Sequence, residues 1–553
     1  MAPPRLKLPK KKKQQYIEKL DDEEDYVQLG NTHEEAMGKH RHGDNVKALR
    51  AADRALDVYS RGLAKFPRSF DLAYNKGRLQ LEMVIDPDLS EELNTPAVLD
   101  LLRQALVSLQ YARGLEPTHP DALYNISQAL TKMAEINAED ESDDSEAIRC
   151  HREALSIYTY CYQLQADTFA KNRVEIERAM RETAQEDMSS NRSEQLATAN
   201  SISEPQDIKE GQWVSVEEPI TADTLLDTII AQLECLKALC STLASSSQLD
   251  PDMSALSWIH EYQTQLLTHT LPTLLSENQA TLGPRLCDVM LVRATFMCYY
   301  LELSFKWSVI DVKEYKQELD TAYTQPGLDH DSEIVLEALA ENLISFNSAL
   351  ANSDSGAYAT LRWSLLMDAQ SRLSKVDKKL SNDKKNLLGV DEKSRSDQHR
   401  IATTHLQRGD ISLLFQVLAY PPNAHPQAQA TTSQLLTNAE GYYGNASYLF
   451  GKLGPPAEED KARSELRKAV VNVLQQVNAS QAVSGSSSGQ GNGGTVIDLR
   501  ASQQQLESAL GSIVKVYGGE WVRDSIEEMV SEGLVLPQIF SAVIDRDPAT
   551  ISS

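Results

Sequence analysis

Few residues in this chain are spaced for chemistry. Gly485-Ser486-Ser487-Ser488-Gly489 has the GxSxG form of a nucleophile elbow. That device needs a strand before the serine and a helix after it, so that the hydroxyl stands exposed on a strained turn. Here the match lies in SQAVSGSSSGQGNGG, whose composition predicts a flexible linker over 480–496. His33 and His40 in HEEAMGKH are seven apart, whereas zinc ligation on one helical face wants a spacing of about four. His40 and His42 flank Arg41 and bring no third ligand. No glycine-rich phosphate loop occurs, and the six cysteines form no CxxC pair. All six fall in apolar helical contexts, which predicts buried, reduced thiols. The expectation is no catalytic residue, no cofactor and no metal.

Charge is the stronger chemical signal. The formal net charge is −26, and the first fourteen residues, with Arg5, Lys7, Lys10, Lys11, Lys12 and Lys13 and no acid, leave −32 on the rest. Such a body repels a phosphate backbone, so direct DNA binding by it is not expected, and basic proteins of the histone or ribosomal type are the natural partners. EDESDDSE adds a local run of six acids, Glu139, Asp140, Glu141, Asp143, Asp144 and Glu146, a candidate contact for such a client. Lys10, Lys11, Lys12 and Lys13 after Pro9 have the form of a nuclear import signal, which predicts a nuclear and cytoplasmic protein. The N-terminus lacks an apolar core after its basic run, and the most apolar stretch, LCDVMLVRATFMCYYLEL, carries Asp288 and Arg293, so no membrane span is expected.

The elements that would position these groups are helices. Val46, Leu49, Ala52, Leu56, Tyr59 and Leu63 recur at three- and four-residue steps until Pro67 ends the pattern. LAYNKGRLQLEM from Leu72 and ALYNISQALTKM from Ala122 stand 50 residues apart. Each places its tyrosine, Tyr74 or Tyr124, seven residues after a proline, Pro67 or Pro117. Small residues repeat in the same phase: Ala55 and Gly62 before Pro67, Ala105 and Ala112 before Pro117, and Ala154 and Cys161 in a third copy. Small side chains at that spacing let neighbouring helices approach closely. The pattern predicts an all-α helical-repeat solenoid, since stacked units must repeat their contacts.

Leu29-Gly30, Tyr74-Asn75-Lys76-Gly77 and Tyr124-Asn125 resemble the first-helix signature of the tetratricopeptide repeat. Ala55, Gly62, Pro67 and Ala105, Ala112, Pro117 resemble its second-helix signature. The units here are longer than the family's, about 34 residues. The resemblance implies a superhelix whose first helices line a groove for an extended peptide, with Asn31, Tyr74, Asn75, Tyr124 and Asn125 as the groove residues. Members that clamp the C-terminal carboxylate of heat-shock chaperones use two asparagines and three cations. Asn31 and Asn75 stand at the asparagine phases, but Val27, Asp121 and Asn125 stand where the cations belong.

The organisation read from composition is a disordered basic tail (1–14), repeats (15–184), a linker (185–219), a second helical-repeat region (220–479), the Ser/Gly linker (480–496) and a C-terminal helical segment (497–553) that could cap the array. Gly409-Asp410 reads as a break between two helices of the second region. The functional expectation is a non-catalytic adaptor or assembly chaperone for a basic client. The alternatives are a scaffold subunit bound through apolar faces and a co-chaperone of heat-shock proteins.

Overall fold

Proline and capping residues divide the chain into hairpins. Asp22 accepts from the Asp25 N–H in a reciprocal capping box and opens α1 (Glu23–His40). Asp44 opens α2 (Asn45–Lys65), and Ser69 opens α3 (Phe70–Ile85). Each side-chain oxygen satisfies an N–H that the helix cannot pair internally. A single turn at Pro87–Ser90 precedes α4 (Thr95–Leu115), then α5 (Pro120–Glu139) and α6 (Asp144–Ser193). The two proline turns share a hydrogen-bond register. Phe66 N–H reaches Gly62 and Ser69 N–H reaches Phe66, just as Glu116 N–H reaches Ala112 and His119 N–H reaches Glu116. The third copy has Gln165-Ala166-Asp167 where the first two have proline. Nothing there interrupts the ladder, so α6 runs for 50 residues. Residues 185–193, expected to begin the linker, are therefore helical.

The computed structural model describes residues 20–41, 43–90, 92–93, 95–139, 144–193, 219–246, 253–352, 356–382, 392–422, 424–485, 510 and 513–536. Among these there is no strand. The molecule divides into two compact units, Met1–Pro284 and Arg285–Ser553.

The first unit continues with α7 (Ala222–Ser245), opened by Thr221, and α8 (Met253–Thr264), which passes through a π-helical turn (Gln265–Thr270) into α9 (Leu271–Glu277). The widened turn precedes Pro272, which has no N–H to continue the ladder. Helix α7 packs on α6 as a further layer of this unit: Thr228 donates to Gln165 at 2.7 Å, and the Tyr262 hydroxyl on α8 donates to Gln232 at 2.6 Å. The first compact unit ends at Pro284.

The second unit holds α10 (Leu286–Lys306), α11 (Val312–Tyr323), α12 (Glu333–Asn352), α13 (Ala359–Asn382), α14 (Glu392–Val417), α15 (Pro426–Leu453), α16 (Glu458–Gly485) and α17 (Gly519–Ser531). Consecutive helices from α12 to α16 pack as antiparallel neighbours through Leu336, Leu366, Leu373, Val376, Ile401, Leu436, Phe450 and Val470, all buried. Helix α14 is continuous through Gly409-Asp410, which corrects the expected break. The Tyr443 ring on α15 lies where a side chain at 409 would stand, and the Tyr443 hydroxyl donates to Asp410 at 2.7 Å. Glycine here allows close packing and does not end the helix. Gly485 ends a helix and follows no strand, so the GxSxG match lacks the framework of a nucleophile elbow; residues 486–489 lie outside the described residues.

Candidate functional site

One contact repeats along the first unit and sets the spacing of the helices that carry the candidate groove. Gly30 on α1 lies against the Tyr59 ring on α2, and Gly77 on α3 lies against Leu109 on α4. Tyr59 and Leu109 both stand eight residues before their prolines. In the third copy Ser127 on α5 and Tyr158 on α6 occupy the same phases, and both are buried. Gly62 at the far end of α2 meets Leu72 of the next hairpin, and the Cys161 thiol, at the matching phase, donates to the Pro120 carbonyl at 3.3 Å. Gly409 against Tyr443 repeats the glycine-on-tyrosine contact in the second unit, with Asp410 following Gly409 as Asn31 follows Gly30. The residue after the glycine accepts from the tyrosine both times: Asn31 Oδ1 from Tyr59 at 3.1 Å, and Asp410 from Tyr443.

Helices α3, α5 and α7, with parts of α6 and with Arg41 just past α1, line a trough. Two adjoining cavities share Ile85 and Gln128 as their common wall. The smaller, about 420 Å³, is bordered by Arg41, Arg78, Glu82, Asp86 and Asn125. Its charges are mutually paired: Arg41 bridges Glu82 and Asp86 at 2.6 Å each, and Arg78 pairs with Glu82 at 3.0 Å and with Glu34. Burial opposes the Arg78 charge, but Glu34 and Glu82 outweigh it and hold its pKa up. The larger cavity, about 640 Å³, lies between α5, α6 and α7. Ile85, Tyr124, Tyr158, Ile230 and Ala231 supply its apolar surface, and its lining also carries Asp121, Glu135, Asp227, Glu234 and Lys132. Lys132 bonds Glu135 at 3.1 Å, and Lys237 on α7 pairs with Glu234.

Those acids act on the ring hydroxyls beside them. Tyr74 is pushed up to about 12, first by burial and then by Asp121, and Tyr124 is raised by burial and by Asp227.

The groove residues expected from sequence do not form one row. Tyr124 lines the larger cavity and Asn125 the smaller. Asn125 donates to the Tyr74 hydroxyl at 3.2 Å, and Tyr74 stacks on Phe70 with centroids 5.5 Å apart. Asn31, read as a groove residue, accepts from Tyr59 within its own hairpin, so a neighbouring helix engages its amide. Asn75 is half-buried on α3 and borders neither cavity. Of the acidic run, Asp140, Glu141 and Asp143 lie outside the described residues, Glu139 ends α5, and Asp144 opens α6. Glu146 is engaged by Arg149 on its own helix at 2.7 Å. Lys10, Lys11, Lys12 and Lys13 also lie outside the described residues. Sequence reasoning missed Asp227, Glu234, Glu135 and Ile85 as trough residues. The only linear signal for them was the acidic bias of the chain, because α7 follows the third hairpin after a long interval.

The second unit buries a charge network instead. Arg467 on α16 is 4% exposed and bonds Asp410 on α14 at 2.5 Å and Glu532, just past α17, at 2.9 Å. The C-terminal segment is thereby tied to the helix array, with Val522, Ile526 and Met529 buried. Arg408 pairs with Asp377 and donates to Tyr442 at 2.7 Å. Among the described residues no group of three or more histidines, cysteines or acids is placed to hold a metal ion.

Fold and site together define an all-α helical-repeat protein with a groove along one face of its first unit. No protein-family model matches the chain. The search of curated proteins returned no match either. A solved structure described as a circular tandem repeat protein with novel repeat topology and enhanced subunit contact surfaces aligns with 92% of this chain and 99% of its own. The identity is 12% and the TM-score 0.27, a level that carries no functional argument.

Proposed function

We propose that the chain is a non-catalytic adaptor or assembly chaperone of tetratricopeptide type. It takes an extended basic segment of a client protein, of histone or ribosomal character, into the trough of its first unit. One observation carries this reading: Asp121, Glu135, Asp227 and Glu234 line one cavity together with apolar residues, and two lysines, Lys132 and Lys237, pair with only Glu135 and Glu234 among them. Lysine and arginine side chains suit such a surface, because their methylene stems cover apolar atoms while their heads meet carboxylates. The repeated glycine-on-tyrosine packing supports the family assignment. A carboxylate clamp for heat-shock chaperones is disfavoured, since Asp121 puts an anion where that clamp needs a cation.

The test is fluorescence anisotropy with a labelled lysine-rich peptide at two salt concentrations. Asp121→Asn with Asp227→Asn removes two charges worth roughly 0.5–1 kcal/mol each, so affinity should drop about 5- to 30-fold. Salt should weaken the native chain more than the variant. Equal affinities for the two proteins would remove the trough from the reading. Nuclear and cytoplasmic distribution is part of the same proposal and is checked by imaging the tagged chain with Lys10–Lys13 intact or replaced by glutamine.

A further inference from the structure

The described chain begins at Leu20, and Lys65 at the end of α2 holds that point by donating to the carbonyls of Leu20 and Asp21 at 2.9 Å each. Residues 1–19 therefore join the fold at the N-terminal edge of α1. First-turn acids occur on the first helix of each layer: Glu23 and Glu24 on α1, Asp71 on α3, Asp121 on α5 and Asp223 on α7. One turn further on, Asp227 leads into the larger cavity. The acids are close enough to affect one another: burial and then Glu23 and Glu24 raise the Asp71 carboxyl, although His119 opposes them.

Acids in a first turn favour their own helix dipole. Among them Asp121 also lines the larger cavity, beside Asp227 and apolar residues. The adjoining chain segment has the opposite charge: Arg5, Lys7, Lys10, Lys11, Lys12 and Lys13 with no acid before residue 18.

We infer that the chain's own lysine segment, Lys10–Lys13, docks along this acidic edge and occupies the trough in cis, competing with a basic client for Asp121 and Asp227. The inference rests on the trough being a groove for basic peptide. Reach permits it. Leu20 is the seventh residue after Lys13, an extended span of about 24 Å, and Lys10 gains about 10 Å more. Packed helices lie about 10 Å apart, so the path from α1 across α3 to α5 is about 20 Å. Tethering places the lysines at an effective concentration on the order of millimolar, above that of a free client.

Two measurements on the full chain decide it. Zero-length carbodiimide cross-linking followed by mass spectrometry should join Lys10–Lys13 to Asp121 or Asp227 within one molecule. If the same lysines link only across copies in a mixture of isotopically light and heavy chains, the occupant comes from a second copy and the cis reading is overturned. Absence of any link to these two carboxylates also overturns it. In the second measurement a labelled deca-lysine probe is titrated into the full chain and into a chain lacking residues 1–14. Removing the segment should tighten binding at least fivefold, and Lys10→Gln, Lys11→Gln, Lys12→Gln and Lys13→Gln together should do the same. Equal affinity of both chains for the probe overturns self-occupancy but leaves the basic-client reading standing. Failure of both chains to bind the probe overturns the client reading and this inference with it.

Discussion

Replacing Gly409 by alanine tests the packing rule from which the repeat geometry follows. A Cβ at 409 would lie 2.5 Å from Tyr443 Cε1, 2.7 Å from Cδ1 and 2.8 Å from Cζ. The ring is fully buried and its hydroxyl is held by Asp410, so it has no easy retreat. Overpacking of this kind costs about 1–3 kcal/mol. Against that, Gly→Ala inside a helix gains about 0.8–1 kcal/mol in propensity. Gly441 on α15 gives the control, because a Cβ there meets nothing within 4 Å. Gly441→Ala should therefore stabilise by up to about 1 kcal/mol, while Gly409→Ala should be neutral to destabilising by about 2 kcal/mol. The difference between them isolates the steric term. Hydrogen-exchange mass spectrometry on peptides from α14 and α15 gives the opening free energies separately from the first unit. In a Tyr443→Ala background the penalty at 409 should vanish, a coupling of about 1–3 kcal/mol. If both alanines stabilise equally, or the Tyr443 background changes nothing, the close approach of α14 to α15 is not what requires glycine.

Other outcomes follow from buried groups. Arg467→Ala strands Asp410 in the interior and should cost about 3–5 kcal/mol, read as lower thermal stability of the second unit and faster proteolysis near Glu532. His151 is fully buried, with Nδ1 3.6 Å from Cys235 Sγ, and burial lowers its pKa to about 4. The unfolded chain thus binds the proton first, so this contribution is intact above pH about 6.5 and is lost as pH falls toward 4. Urea midpoints for the native chain and His151→Gln should diverge across that window by about 2–3 kcal/mol of stability. Burial raises the thiols of Cys150 to about 11 and of Cys161 and Cys235 to about 12, and those of Cys240 and Cys298 upward as well. Cys287 is only half-buried, so iodoacetamide on the native chain should label Cys287 first, as mass spectrometry of the peptides would show.

The all-helical class, the hairpin phase of the first unit and its small-residue contacts were legible in the linear chain. Period, caps and proline are local properties: Pro67 and Pro117 end their helices wherever the chain goes, and the third copy lacks that stop, so α6 extends. Tertiary approach decided the rest. Gly409-Asp410 looked like a break because the ring that fills the space comes from Tyr443, 33 residues beyond Asp410. Asn31 and Asn125 share a residue type, yet Tyr59 engages one, while the other borders the trough and bonds Tyr74. Asp121 and Asp227 face one cavity only because α7 packs beside α5. Sequence periodicity states which face of a helix is buried, but the side chains facing one another across a groove depend on which helices become neighbours, and that is settled by packing.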